Sequence, residues 1–129
     1  HELFGLGNAT GLSAVISGRS APEAAIHHVL GLPDLSVMPA GAPPPNPLEL
    51  LARPLFPRML KDLSLEFDII LLDSPCASTY PDAQAIAMRA GAALIVVRKN
   101  ATRSWGVRGV SERIAHASAT VLGAVLNDF

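Results

Sequence analysis

A chain of 129 residues is one domain's worth of polypeptide, long enough to bury roughly two thirds of its unfolded surface in a real core. Half of the residues are hydrophobic and the mean hydropathy is +0.36, which excludes a disordered chain. Ten basic against eleven acidic residues give a net charge of −1, so there is no electrostatic case for a nucleic acid or an anionic membrane, and the single cysteine, Cys76, excludes a disulfide framework and a CxxC metal site and fits a reducing compartment.

The chain begins with His1 rather than Met and no signal-peptide pattern follows, so it reads as part of a longer protein. Residues 1–8, with Gly5 and Gly7, read as a loop. Residues 11–18 are a short helix candidate bounded by glycines. Ser20-Ala21-Pro22-Glu23 reads as a helix start, with Ser20 as cap and Glu23 three residues on; that helix is expected to reach Leu30 and stop at Gly31. Leu35 to Pro39 is a short strand candidate, and the Pro- and Gly-rich residues 40–47 are the clearest loop. Asn46 and Pro47 restart a helix as cap and first helical residue. In the next helix Leu55, Phe56, Met59, Leu60 and Leu63 fall on one face.

Phe67-Asp68-Ile69-Ile70-Leu71-Leu72-Asp73 is the strongest strand pattern, its continuous apolar run expected to be covered on both faces. A helix over residues 81–90, a strand over 93–98, a helix from Thr102 to about Ala117 and a strand over 120–126 follow. No apolar stretch is long enough to cross a bilayer as a helix. Strand, helix, strand, helix, strand predicts an α/β fold: a parallel sheet with helices on both faces in a single partial domain over residues 1–129.

Open parallel sheets bind ligands beyond the carboxyl ends of their strands. Asp73, Arg98 and Asn127 stand at such ends. An apolar run ending in Asp73, then Ser74 and Pro75, is the Walker B pattern, in which a carboxylate holds the water shell of a Mg²⁺ ion on phosphates. A strand-ending Asp that only caps the next turn is the competing reading. No GxxxxGK[ST] occurs, and Gly5, Gly7 and Gly11 miss the dinucleotide spacing. His27 and His28, adjacent on a predicted helix, point about 100° apart and make no metal pair. Cys76 has no assignable base and reads as a bystander thiol, and Arg103, Arg108 and Arg113 read as a solvated helix face. Trp105 and Tyr80 are too few for a nucleic-acid stacking platform.

Several segments, taken in order, carry a resemblance: His1-Glu2-Leu3-Phe4-Gly5, Gly11-Leu12-Ser13-Ala14-Val15, Leu35 to Gly41, Pro44-Pro45-Asn46-Pro47-Leu48-Glu49-Leu50-Leu51, Phe67 to Pro75, Asp82-Ala83, Val96-Val97-Arg98 and Val121 to Asn127. Together they resemble the cytoplasmic kinase domain of bacterial protein-tyrosine kinases of exopolysaccharide loci, the chain-length-determinant kinases. The resemblance implies a P-loop NTPase fold of the MinD/ParA type and transfer of the ATP γ-phosphoryl group to tyrosines. It also implies a membrane polysaccharide co-polymerase as partner, self-association in a ring, and a place at the inner face of the cell membrane. By the same resemblance, Asp73 is the catalytic Walker B carboxylate and holds Mg²⁺ through water. Asn127 falls where related ATPases recognise adenine, Arg98 stands near the nucleotide pocket, and Asp82 falls in the Asp-Ala pair after Walker B, where a helix cap is the plain alternative.

The departures shape the expectation. In that family a P-loop and an Asp-x-Asp-x-Arg motif precede the segment matching His1 to Gly5, and this chain starts after both. Tyr80 is its sole tyrosine, Ser74 replaces a common Thr, and Cys76 a common Pro. The sheet is therefore expected to lack the N-terminal P-loop strand, and the chain alone to be inactive. A partitioning or septum-site type ATPase and a non-catalytic adaptor of the export machinery are the other readings.

Overall fold

The computed structural model describes residues 1–128, which form two compact units, residues 1–68 and 69–128. In the first, α1 (Leu12–Ile16), α2 (Pro47–Ala52) and α3 (Leu55–Leu63) surround an antiparallel pair of strands, β1 (His27–Val29) and β2 (Leu32–Val37), in sequence. α1 packs against α2 and α3, and Val15, Ile16, Leu50, Leu51, Phe56 and Met59 are buried. Asn46 precedes Pro47 at the start of α2 as expected, and its Nδ2 donates to Glu49 Oε2 at 3.3 Å. α3 buries the Phe56 and Met59 side of its apolar stripe and closes on Ser64, whose hydroxyl donates to the Lys61 carbonyl at 2.7 Å.

The helix expected from Ser20 to Leu30 is not formed. Pro22–Ala24 makes one 3₁₀ turn, and His27, His28 and Val29 pair instead with Val37, Ser36 and Leu32. Gly31, read as a helix stop, takes a left-handed φ of 85° at the tip of this hairpin. Cross-strand pairing with residues three to ten positions on outweighs the capping signal at Ser20. It also puts His27 and His28 on opposite faces of a strand.

In the second unit, α4 (Asp82–Ala90) ends on Gly91, at φ 77°, and leads into β3 (Ala92–Arg98); α5 (Ser104–His116) carries the chain across to β4 (Thr120–Asn127). β3 and β4 are parallel, with Ala92 opposite Thr120 and Arg98 opposite Asn127; the register slips once, between Ala93 and Leu94. Ala87, Val110, Ile114 and Ala119 form the core, with Ala77, Ala93, Ile95 and Val121 packed on it. The helices therefore lie on the sheet face that carries Ala93 and Ile95. Leu94, Val96 and Leu122 are exposed.

Residues 67–73 correct the strongest strand expectation. They form no ladder with any described strand, and Ile69 and Leu71 are 77% and 89% exposed. The physical reason is the absence of a hydrogen-bonding neighbour among the described residues: an apolar run supplies strand propensity, but a strand exists only when its N–H and C=O groups are paired.

Candidate functional site

The ladder brings two of the three strand-end residues together. Arg98 and Asn127 are register partners at the carboxyl ends of β3 and β4. Backbone bonds lock this end. The Lys99 N–H donates to the Asn127 carbonyl at 2.9 Å, and the Arg98 carbonyl accepts from Ala101 and Thr102 at 3.2 and 2.9 Å. The Arg98 N–H donates to Thr102 Oγ1 at 2.9 Å, closing residues 98–102 into a tight loop in which Asn100 takes a φ of 60°. One step beyond the ladder, Lys99 Nζ sits 2.8 and 2.9 Å from the two Asp128 oxygens, an exposed ion pair that ties the two chain segments at their tips. Such a pair contributes roughly 0–1 kcal/mol, so its effect is on geometry rather than stability.

Asp73 lies outside that ladder, on the exposed segment before α4. The turn after it is internally bonded: the Cys76 carbonyl accepts from Thr79 and Tyr80, both at 3.0 Å. Cys76 Sγ lies 3.1 Å from Ser78 Oγ, and hydrogen bonding from Ser78 holds the exposed thiol below its ordinary pKa. Arg113 Nη2, reaching across from α5, donates to the Ala77 carbonyl at 3.0 Å. Asp82 is the first residue of α4, in its first turn, and the cap position itself is Pro81.

The donor set bounds what can bind. Among the described residues no three His, Cys, Asp or Glu side chains converge on a metal position. One exposed carboxylate suits contact with a hydrated Mg²⁺ ion through water, and not a protein cage. Arg98 and Asn127 place a guanidinium and an amide side by side at adjacent strand ends. Sequence reasoning placed all three at strand ends from the apolar runs before them. It missed Thr102, Lys99 with Asp128, and Arg113, which act through contacts that no motif encodes.

A parallel pair of strands joined by a crossover helix, with polar groups at the carboxyl ends, is an α/β unit of the kind that binds ligands along that edge. No protein-family model matches the chain. It is 31% identical over 128 residues, 99% of its length, to the tyrosine-protein kinase ptk of Acinetobacter johnsonii, and 30% identical over 127 residues to the tyrosine-protein kinase etk of Escherichia coli. In each case it spans 17% of the relative's length. Among solved structures, the chimerical protein CapA2B2 matches the whole chain with a TM-score of 0.92 at 30% identity, this chain covering 57% of that one. The kinase domain of the Escherichia coli tyrosine kinase ETK matches 98% of it, also at 0.92 and 30%, with 49% of that chain covered. The chain is a homologue of the bacterial tyrosine-protein kinases, and its fold is that of part of their P-loop NTPase kinase domain.

Proposed function

We propose that this chain is the part of an ATP-dependent protein-tyrosine kinase that carries the Walker B carboxylate and the base-side strand ends, in the control of exopolysaccharide chain length and export. The match of 98% of this chain to about half of the ETK kinase domain carries the reading. Asp73 would hold a Mg²⁺ ion through its water shell, and that ion would supply positive charge against the phosphates of the nucleotide. Asn127 orients the base by its side-chain amide, and Arg98, held by the 98–102 loop, adds positive charge at the same strand end. The phosphate cradle, the lysine and the tyrosine substrates are supplied by sequence that this chain does not contain. The partner is a membrane polysaccharide co-polymerase, which brings the kinase to the inner face of the membrane, where it assembles as a ring. No helix among the described residues is long and apolar enough to cross a membrane.

Sequencing the coding DNA on both sides of this stretch, then expressing the encoded protein, tests the proposal. A GxxxxGK[ST] motif upstream and clustered tyrosines downstream are expected. Asp73→Asn should then lower autophosphorylation, read with a phosphotyrosine antibody, by about 10²–10³-fold, the usual loss when one group that stabilises transition-state charge is removed. An encoded protein without a P-loop overturns the kinase reading and favours an adaptor of the export machinery.

A further inference from the structure

We infer that Arg113 is a positioning residue: its guanidinium pins the loop after Asp73 to α5 and thereby fixes where the Asp73 carboxylate stands. The loop has few other anchors. Residues 73–76 and 78–80 are exposed, and Ala77 alone is half-buried. Its methyl group packs on the core of α4 and α5, while its carbonyl accepts the Arg113 bond at 3.0 Å. The paired bonds from Thr79 and Tyr80 to the Cys76 carbonyl make the turn stiff within itself. The bonded segment 76–80 runs into α4 at Pro81, so the Arg113 bond at Ala77 is what ties its Asp73 side to α5, four residues from Asp73.

The other end of the tether is firm. Arg113 sits between Val110 and Ile114, both buried, on a 13-residue helix. Its side chain lies back along α5 over Gly109; a Cβ on Gly109 would stand 3.6 Å from Nη1. The bond spans 36 residues of sequence and is charge-assisted, which a solvated helix face does not explain. Because the arginine is exposed, its contribution is to order rather than to net stability.

The functional clause rests on the reading of Asp73 as the metal-side carboxylate, whereas the tether does not. ¹⁵N relaxation on this chain tests it with no nucleotide present. The variants are Arg113→Met, which keeps the aliphatic stem and removes the donors, Arg113→Lys, which keeps a donor, and Arg108→Met as a helix control. The order parameters of Asp73 and Cys76 are expected to fall from about 0.85 to below 0.6 in Arg113→Met, and to hold in the other two. The alkylation profile of Cys76, the chain's one thiol, should move to higher pH in Arg113→Met alone, because a loosened turn gives up the Ser78 bonds that favour the thiolate. Unchanged order parameters in Arg113→Met, or an equal fall in Arg108→Met, overturn the tether. Autophosphorylation that survives Asp73→Asn overturns the reading of Asp73 and leaves the tether standing.

Discussion

Gly11 shows how tightly the first unit is interlocked at a single residue. A Cβ built there would come within 2.2 Å of the Pro39 carbonyl oxygen and 2.5 Å of the Gly41 amide nitrogen, both backbone atoms that cannot turn aside. Facing it, Gly41 takes a φ of 80° and receives an Asn8 side-chain bond of 2.7 Å on its N–H; the Leu12 and Ser13 amides donate to the Pro39 and Ala40 carbonyls at 2.8 and 2.9 Å. Gly11→Ala is therefore expected to destabilise the chain by about 1–3 kcal/mol, the cost of forcing a methyl group into packed atoms. Urea denaturation followed by circular dichroism checks it, and an unchanged midpoint would show that the two segments can separate at no cost. The sequence marks Gly11 only as a helix boundary. It has no local signal for the backbone segment that comes to lie against it nearly thirty residues later. Asp73 is the opposite case: its position at the end of an apolar run is visible locally, while the Arg113 bond that anchors its loop is not.

At the scale of elements, α2, α3, α4, α5, β3 and β4 fall within a few residues of where periodicity and caps put them, the helices because each is stabilised mainly by its own spacing of apolar residues, β3 and β4 because each has the other to pair with. The two elements that differ depend on partners. The hairpin over residues 27–37 replaces a locally capped helix because β2 lies within reach across a two-residue tip. The run over 67–73 has the composition of a buried strand and no strand to pair with among the described residues. α3 permits a direct test of local legibility. Phe56 and Met59 are the buried side of its stripe, and Phe56 is completely buried. Phe56→Ala should cost about 3–5 kcal/mol, whereas Leu55→Ala, on a residue 41% exposed, should cost well under half of that. Paired urea titrations read both; equal losses would mean that α3 does not face the core as described. Because a domain of this size holds only about 5–15 kcal/mol in total, the first variant is expected to be partly unfolded at body temperature.

The molecule as a whole offers a nucleotide little to hold. A micromolar dissociation constant requires about 8 kcal/mol of net binding free energy, after a cost of about 4 kcal/mol or more for immobilising the ligand. The candidate contacts are one exposed carboxylate, one strand-end arginine and one strand-end amide; exposed charge pairs contribute about 0–1 kcal/mol each. The strong terms of a phosphate site, consecutive backbone N–H groups and a lysine on the β- and γ-phosphates, come from a GxxxxGK[ST] loop that the 129 residues do not contain. Nothing in a net charge of −1 compensates by long-range attraction of ATP. Calorimetric titration of this chain with Mg²⁺-ATP is therefore expected to give no saturable heat below about 1 mM, which corresponds to roughly 4 kcal/mol. A micromolar constant would mean that Asp73, Arg98 and Asn127 form a phosphate site by themselves, and that the division of labour proposed for the complete kinase is wrong.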